Sequence, residues 1–498
     1  MKKRITKILC FALTLVLMLS SVSVAFAKEQ VTPVILVHGV GGSAVYENVG
    51  KDNEAEIKTF GLGEATDILK NTDLLGELIK LLSTEKSADY MALLDKFNAM
   101  VVPAGEKFNA DKNGNIKAGQ GIKNYWTAPM SKHKSYWKNA EISEPALVRE
   151  LCLTHGAKNV YTYNYDWRQD IYKSAKGLRK FVKNVKKRTG AKKVALVGCS
   201  LGGSVLSCYM DAYKKKNDVS RYLFVDPAMC GVDVTRCYAL DFKINKKQVL
   251  SYLEGMQTAN PGSTQQTIMK VVKALGDIRV GIAAENLAHL SKNEKFINKL
   301  CTDVILPWIG YIPALWECIP HDVYGKAVKN ASRIGLLDKK SGLYKKIKRY
   351  HKIQGRFKKN VKFLKRKGVQ IAIIANYGEP GIPVTSKAKN HIDGLIDTCR
   401  SSGGATVANY GSKLKGKKAK GKYVSPDKVI NAKTCILPNS TWFIRDIQHM
   451  QFKSGTDASK FIAQLACGKV KYNLKAVKKK YGYTQFVKGD ENQALTNV

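Results

Sequence analysis

The sequence is poor in acidic residues and lacks the patterns of several protein classes. Of its 498 residues only 40 are Asp or Glu, against 83 Lys or Arg, so the formal net charge is +43. No apolar run beyond residue 27 is long enough to span a bilayer, which excludes later transmembrane helices. The lack of an internal repeat excludes a solenoid or a propeller.

The cysteines do not indicate a metal site or a disulfide framework. Their spacings match neither a zinc site nor the compact disulfide scaffold of a small secreted protein. We therefore predict no metal site and no cofactor. Cys199 and Cys208 are interpreted as small core residues rather than reactive thiols.

The first 27 residues have the composition of a secretory signal peptide. A basic start from Lys2 to Lys7 precedes an apolar stretch from Ile8 to Val24, and Ala25-Phe26-Ala27 has the small residues of a cleavage site. An uncleaved membrane anchor is the alternative. We expect an exported protein whose mature part, residues 28–498, is one elaborated domain or a catalytic core with a cap.

The basic excess is spread over surface-type segments such as 339–367 and 411–422. Solvated helix faces and a flexible loop are the ordinary interpretation of such segments. The alternative is attraction to an anionic membrane or cell-wall surface. Nucleic acid is not an expected partner, because no recognised nucleic-acid motif accompanies the charge.

Short apolar runs alternate with amphipathic stretches, which is typical of a mainly parallel sheet with helices on both faces. The strands are predicted at 34–37, 160–163, 194–197, 222–225, 369–375 and 434–437. Helices are predicted at 144–155 and 171–189, and a helix-like stretch follows at 458–465. Two long interruptions, at about 44–142 and 229–367, are predicted to be insertions, the second of them a cap or lid.

The most informative segment is Gly198-Cys199-Ser200-Leu201-Gly202, directly behind an apolar run. A G-x-S-x-G sequence after a strand is typical of a nucleophile elbow, a sharp strand-to-helix turn that exposes a serine hydroxyl. Glycines two before and two after the serine leave room for that bend. An ordinary Gly/Ser loop is the alternative, so other residues must decide whether Ser200 is a nucleophile.

An acyl-transfer serine also needs backbone donors for the oxyanion that forms during attack. The first strand runs into His38-Gly39-Val40-Gly41-Gly42-Ser43, a glycine-rich turn of the type that presents a backbone N–H. Val40 and Leu201, the residue after the serine, are the predicted oxyanion donors. His38 is expected to support the turn rather than to act as the base.

His449 is the predicted base among the eight histidines. It follows the last predicted strand and precedes a helix-like segment, which fits the chain order Ser, acid, His. His321 and His391 stay open as alternatives, and His321 could line a substrate groove. His133, His155, His289 and His351 are interpreted as surface or packing residues.

Three aspartates are candidates for the acid that orients the base. Asp393 is preferred, because the Asp-Gly pair before two apolar residues would hold the carboxylate on a tight turn. Asp397 is the second candidate. Asp226, directly after the strand that ends at Val225, is the third and more remote candidate.

Together these motifs resemble the lecithin:cholesterol acyltransferase family, which includes lysosomal phospholipase A2. The matching segments occur in the family's order within about residues 33–450, at 34–43, 165–168, 198–203, 313–316 and 377–383. Of these, Tyr165-Asp166-Trp167-Arg168 is fairly specific, and we expect Asp166 and Arg168 to form a buried pair. The turn at 393–396 is similar to the acid turn of bacterial triacylglycerol lipases.

The resemblance implies an α/β-hydrolase fold and action on lipid acyl esters. The resulting hypothesis is a secreted serine hydrolase, a lipase, phospholipase or O-acyltransferase, with the triad Ser200, His449 and Asp393. One alternative is a cationic protein that binds lipid or wall polymer on a hydrolase scaffold. Another is an esterase or amidase for a substrate that is not a lipid.

Overall fold

The structure is a computed structural model that describes residues 31–57, 87–255, 280–282, 284–387 and 389–498. The predicted signal peptide, residues 1–27, lies outside the described residues, as does part of the predicted cap. Within the described residues no helix combines the length and the apolar character needed to cross a membrane.

Within the described part of the chain eight strands form the central sheet, and seven of them run parallel. The strands are β1 (Val34–Val37), β2 (Val160–Tyr163), β3 (Val194–Cys199), β4 (Val219–Val225), β5 (Gln370–Tyr377), β6 (Thr441–Arg445), β7 (Phe486–Gly489) and β8 (Leu495–Asn497). Their order across the sheet is β8-β7-β6-β5-β4-β3-β1-β2, and only β8 is antiparallel to its neighbour.

Helices cover both faces of this sheet. They are α1 (Ser143–His155), α2 (Ile171–Thr189), α3 (Leu201–Tyr213), α4 (Gly342–Gln354), α5 (Phe357–Arg366), α6 (Asp457–Cys467) and α7 (Leu474–Tyr481). Side chains of α2, α3, α5 and the end of α4 contribute to one core, and those of α1, α6 and α7 to another. Alternate residues of β1 enter the two cores, Ile35 and Val37 on one side and Val34 and Leu36 on the other. This explains why the buried strands read as continuous apolar runs rather than as an alternating pattern.

A mainly parallel sheet covered by helices on both faces, with a sharp turn from β3 into α3, is the α/β-hydrolase fold. The predicted fold class is therefore confirmed. The strands at 34–37 and 160–163 and the helix at 171–189 have the bounds predicted for them. In such a sheet the carboxyl ends of the parallel strands share one edge, and the predicted site residues all follow strand ends there.

The strand predicted at 434–437 is wrong. The structure has a 3-10 turn at Ala432–Thr434, and the strand lies further on, at Thr441–Arg445. Pro438 separates the two segments and cannot donate a ladder hydrogen bond in a central strand. Cys435 and Leu437 are nevertheless buried in the core, which gives this connection the composition of a strand. Strands β7 and β8 were not predicted.

The two predicted insertions carry elements of their own. The first contains the helices Ser87–Phe108 and Lys134–Trp137, and a ribbon of Val45–Glu47 with Ala55–Ile57. The second contains Lys246–Gly255, Glu294–Lys299, Leu306–Ile309, Pro313–Glu317 and His321–Arg333, followed by α4 and α5. A third core, which includes Tyr238, Trp316 and Leu343, packs the second insertion internally. Helices α4 and α5 pack on α3 in the layer that covers the sheet.

Candidate active site

Ser200 lies at the turn between β3 and α3 in a strained backbone conformation. Its φ is 52° and its ψ is −120°, a region that residues other than glycine rarely adopt. Three hydrogen bonds hold this conformation: its N–H donates to Val225 O (3.0 Å), and its carbonyl accepts from Gly203 N–H and Ala228 N–H (2.9 Å each). The surrounding strands and α3 therefore fix the direction of the serine hydroxyl.

Three positions around the turn must be glycine, because other parts of the chain lie too close to leave room for a Cβ atom. A Cβ on Gly202 would lie 2.1 Å from the carbonyl oxygen of Val37, and one on Gly39 would lie 2.7 Å from Ser200 Cβ. A Cβ on Gly198 would lie 2.9 Å from the carbonyl oxygen of Gly202. The loop after β1 thus lies directly against the serine, and the room that Gly198 and Gly202 leave for the bend is as predicted.

The structure brings Ser200, His449 and Asp393 together from three separate loops. His449 Nε2 lies 3.0 Å from Ser200 Oγ, and His449 Nδ1 lies 2.8 Å from Asp393 Oδ2. Ser200 and Asp393 are buried, with 6% and 0% of their surface exposed, whereas the His449 side chain keeps 14%. This is the hydrogen-bond order of a serine triad, in which the base bridges the nucleophile and the acid.

The acid is held by its own turn. Asp393 Oδ1 accepts hydrogen bonds from the N–H groups of Leu395 (2.9 Å) and Ile396 (2.7 Å), which leaves Oδ2 for the imidazole. The N–H of His449 in turn donates to the carbonyl oxygen of Asp393 at 2.5 Å. The turn of Asp393 and the loop of His449 are therefore joined both by their backbones and by their side chains.

The electrostatic surroundings favour the protonated form of His449. Burial on its own would lower the pKa of the imidazole. The charge and hydrogen bond of Asp393, with smaller contributions from Asp226 and Glu144, outweigh burial and raise that pKa above its usual value of 6.5. An imidazole of this kind is a stronger base toward the serine hydroxyl, and the cation that it forms is stabilised.

The predicted oxyanion donors flank the serine. Leu201 begins α3 directly after Ser200, and Val40 follows Gly39, whose backbone touches the serine. Among the described residues, the N–H groups of Val40 and Leu201 donate no hydrogen bond to another part of the chain. Both are thus available for an oxygen at the serine, which is the requirement of an oxyanion site.

Glu144, at the start of α1, was not predicted as part of the site. Its Oε1 accepts a hydrogen bond of 2.6 Å from the N–H of Gly39, in the glycine-rich turn after β1. Burial raises the pKa of Glu144 to about 7, although the Gly39 bond and nearby His449 favour the charged form. The contact joins residues 105 positions apart, so no local sequence pattern could have revealed it.

Asp226, the third acid candidate, lies near Asp393 and His449 but makes no hydrogen bond to His449 among the described residues. Its carboxylate accepts from the N–H and side-chain amide of Asn376, both at 2.9 Å, and from Met450 N–H at 3.4 Å. One carboxylate oxygen each of Asp226 and Asp393 and one ring nitrogen of His449 lie within 4.8 Å of one another. Burial and the Asp393 charge raise the pKa of Asp226. Asp226 therefore fastens the end of β5 to the loop that carries His449.

The remaining candidates lie elsewhere. Asp397 begins the short helix Thr398–Ser401 and accepts hydrogen bonds from Asp233 N–H and Asn390, both 3.2 Å long. His391 is buried beside Tyr377 and Tyr410. These contacts make them packing residues.

His38 and His321 pack against other parts of the chain and make no hydrogen bond to Ser200 in the described structure. His38 stacks on Tyr165 at 4.4 Å between ring centroids, and its Nε2 accepts from Tyr165 N–H (3.2 Å). Burial lowers the pKa of His38 to about 4, so it is neutral and supports its turn. His321 lies against Gly355 at the start of the helix His321–Arg333.

The predicted Asp166 and Arg168 pair is buried and structural. Arg168 Nη2 lies 2.8 Å from Asp166 Oδ2, and the guanidinium also donates to Phe108 O at 2.8 Å. Arg168 has no exposed surface. The pair therefore fixes the helix Ser87–Phe108 of the first insertion to the loop after β2.

Exposed apolar side chains lie in or next to the segments that form this site. Val40 (37% exposed), Ile142 (37%) and Leu395 (38%) are among the exposed large hydrophobic residues of the described chain. Val40 follows Gly39, Leu395 lies in the Asp393 turn, and Ile142 is two residues before Glu144, which binds Gly39. We call these three residues the apolar rim.

Comparisons with known proteins give distant likenesses. No protein-family model matches the chain, and no curated protein matches its sequence. A solved structure of a Tle4–Tli4 complex aligns with 69% of this chain and 75% of its own, at 13% identity and a TM-score of 0.27. An N-acyl homoserine lactonase, AidH, complexed with N-butanoyl homoserine, aligns with 28% of this chain and 57% of its own, at 12% identity and a TM-score of 0.14. The strand order and the elbow therefore carry the assignment of the fold, and the geometry of the site carries any statement on activity.

Proposed function

We propose that this protein is an exported serine hydrolase of the α/β-hydrolase fold that cleaves or transfers acyl esters of lipids. The observation that supports it most is the continuous hydrogen-bond chain from Ser200 Oγ through His449 to Asp393, with distances of 3.0 and 2.8 Å. Three side chains from distant loops meet in this order only if the turn, both loops and the sheet edge are aligned.

In the proposed mechanism Ser200 Oγ attacks the ester carbonyl while His449 Nε2 takes its proton. Asp393 holds the Nδ1–H tautomer and stabilises the imidazolium, and the N–H groups of Val40 and Leu201 bind the oxyanion. His449 then protonates the leaving alcohol, which yields an acyl-serine. Water or a lipid alcohol, deprotonated by the same imidazole, releases the acyl group.

A lipid ester is proposed for two reasons. The segments that resemble the lecithin:cholesterol acyltransferase family include the oxyanion turn and the elbow, which are the parts that touch the substrate in this mechanism. The apolar rim of Val40, Ile142 and Leu395 would place hydrocarbon chains next to the serine. Export is proposed from the composition of residues 1–27.

The nucleophile is tested with Ser200→Ala, and Ser207→Ala is its matched control. Ser207 is a buried serine on α3, the helix that follows Ser200, and its hydroxyl has no hydrogen-bond partner among the described residues. We expect Ser200→Ala to lose ester hydrolysis by about 10⁶-fold and to lose labelling by a fluorophosphonate. Ser207→Ala should keep both. Full esterase activity in Ser200→Ala would refute the proposal.

The substrate class is tested by identifying products. The mature protein is incubated with mixed phospholipids and a lipid alcohol, and the products are identified by mass. Released fatty acid indicates hydrolysis, and a new lipid ester indicates transfer. Cleavage of short soluble esters with no response to lipid interfaces would favour an esterase for other substrates, and failure of fluorophosphonate labelling would favour a binding protein.

A further inference from the structure

Three helices on one face of the sheet form a surface without acidic residues. Helices α2, α4 and α5 contain 18 Lys and Arg residues and no Asp or Glu. All three contact α3, and α2 and α5 also contact strands of the sheet directly. We call their exposed side the basic face.

The basic face is one continuous surface. Arg349 of α4 pairs with Asp170, the N-cap of α2, and its guanidinium lies 4.2 Å from the ring centre of Tyr172. Arg356, between α4 and α5, pairs with Asp211 of α3 at 2.6 Å. One ion pair thus joins α4 to the start of α2, and another joins the connection between α4 and α5 to α3.

Few of the 18 cations are neutralised within the described part of the chain. Arg179 and Lys186 share Asp218, Arg349 has Asp170, and Lys346 binds backbone and amide oxygens of the first insertion. The other members make no ion pair with a described carboxylate; they are Lys173, Lys176, Lys180, Lys183, Lys187, Arg188, Lys345, Lys348, Lys352, Lys358, Lys359, Lys362, Lys365 and Arg366. All of these side chains are exposed.

This arrangement is electrostatically unfavourable in the free protein. Like charges four residues apart on a helix, such as Lys176 with Lys180 and Lys358 with Lys362, destabilise it by roughly 0.2–0.5 kcal/mol per pair. A face that only had to be soluble would be served by charges of both signs. The repulsion is relieved when an anion with many closely spaced charges covers the face.

We propose that the basic face binds an extended polyanion, a polymer of phosphate or phosphodiester units, away from the triad. A bilayer is the less suitable partner, because none of the exposed large apolar side chains of the described chain lies on α2, α4 or α5. The apolar rim is instead at the carboxyl edge of the sheet. A lipid surface would meet the protein at the rim, which leaves the basic face free for a polymer.

The test uses Ser200→Ala as the parent protein, so that binding is measured without turnover and independently of the proposed catalysis. Its affinity for long-chain inorganic polyphosphate is measured over a range of salt concentrations, beside vesicles that contain phosphatidylglycerol. The face variant replaces Lys176, Lys180, Lys183, Lys352, Lys358 and Lys362 with Gln. The matched control replaces Lys413, Lys415, Lys417, Lys418, Lys420 and Lys422, which are exposed in the other basic segment.

We expect the face variant to bind polyphosphate at least about 100-fold more weakly at low salt, and the control to change by less than about threefold. The slope of log Kd against log salt should fall by up to about 4 in the face variant, since each lost phosphate contact removes roughly 0.7. Polyphosphate should also raise the Tm of the parent more than that of the face variant.

Equal weakening in the two variants would overturn the proposal, because binding would then follow net charge rather than this surface. Stronger binding of the parent to the vesicles than to polyphosphate, abolished in the face variant, would also overturn it. A circular dichroism spectrum and a Tm at high salt equal to those of the parent establish that both variants are folded. Loss of polymer binding would leave the catalytic proposal untouched.

Discussion

Adding one methyl group at Gly202 should damage the site without touching any triad side chain. Gly202 lies in the first turn of α3, where a Cβ would stand 2.1 Å from Val37 O and 2.8 Å from His38 O. Real Cβ atoms essentially never come closer than 3.0 Å, so Gly202→Ala must separate α3 from the end of β1 by about 0.9 Å. Both neighbours are backbone atoms, which cannot rotate away.

That separation acts on two parts of the mechanism at once. Ser200 moves with α3 and Val40 moves with the end of β1, so the nucleophile and one oxyanion donor lose their relative position. A misplacement of about 1 Å reduces turnover by roughly 10²-fold. Overpacking of this kind also costs about 1–3 kcal/mol in the free energy of unfolding. We therefore expect kcat to fall about 100-fold in a folded but less stable protein.

The assay is hydrolysis of a p-nitrophenyl ester, with urea unfolding in parallel. The control is Gly325→Ala on the exposed side of the helix His321–Arg333, where a Cβ would meet nothing within 4 Å. This control should keep its rate and gain about 0.5–1 kcal/mol of stability, since alanine is the better helix former. Gly202→Ala with the kcat and fluorophosphonate labelling rate of the parent would refute the close-approach argument.

Two further predictions concern the carboxyl groups. Because Asp393 outweighs burial in raising the pKa of His449, kcat/KM should rise with pH through a step above pH 6.5. In Asp393→Asn the step should move to lower pH and the maximal rate should fall by about 10⁴-fold; a step that stays in place would contradict the assignment. Because the pKa of Asp226 is raised, the native state keeps this proton at pH values where the unfolded state has lost it. The contribution of Asp226 to the free energy of unfolding therefore falls as pH rises from the unfolded pKa to the native pKa. The Tm of Asp226→Asn minus the Tm of the parent should therefore increase from pH 5 to pH 8. A Tm difference that is constant over this range would exclude the effect.

The features that could be predicted from the sequence are those with a local physical signature. Buried strands such as 160–163 are short apolar runs, and the helix at 171–189 has an aspartate cap at one end and Gly190 at the other. The elbow could be predicted because two glycines are required by the bend itself. Asp393 was preferred to Asp397 for the same kind of reason, since an Asp-Gly turn presents its carboxylate in a defined direction.

Features that depend on contacts between distant positions could not be predicted. The segment 434–437 was mistaken for a strand because burial gives a connection and a strand the same composition. Glu144 reaches Gly39 across 105 positions, and Asp226 reaches Met450 across 224. Neither contact leaves a pattern in the neighbouring sequence, so the supporting residues of the site emerge only from the structure.

These supporting contacts explain how loops can hold a triad in place. Loops are the least stable parts of a fold, and two loops of this site are each fastened by a buried carboxyl group from another element. Glu144 binds the oxyanion turn, and Asp226 binds the loop that carries His449. A hydrogen bond to such a group contributes about 0.5–1.5 kcal/mol when the carboxyl group is neutral and about 1.5–3 kcal/mol when it is charged, which favours one conformation of the loop. The site therefore depends on residues that touch no substrate, and changes at Glu144 and Asp226 should alter kcat more than KM.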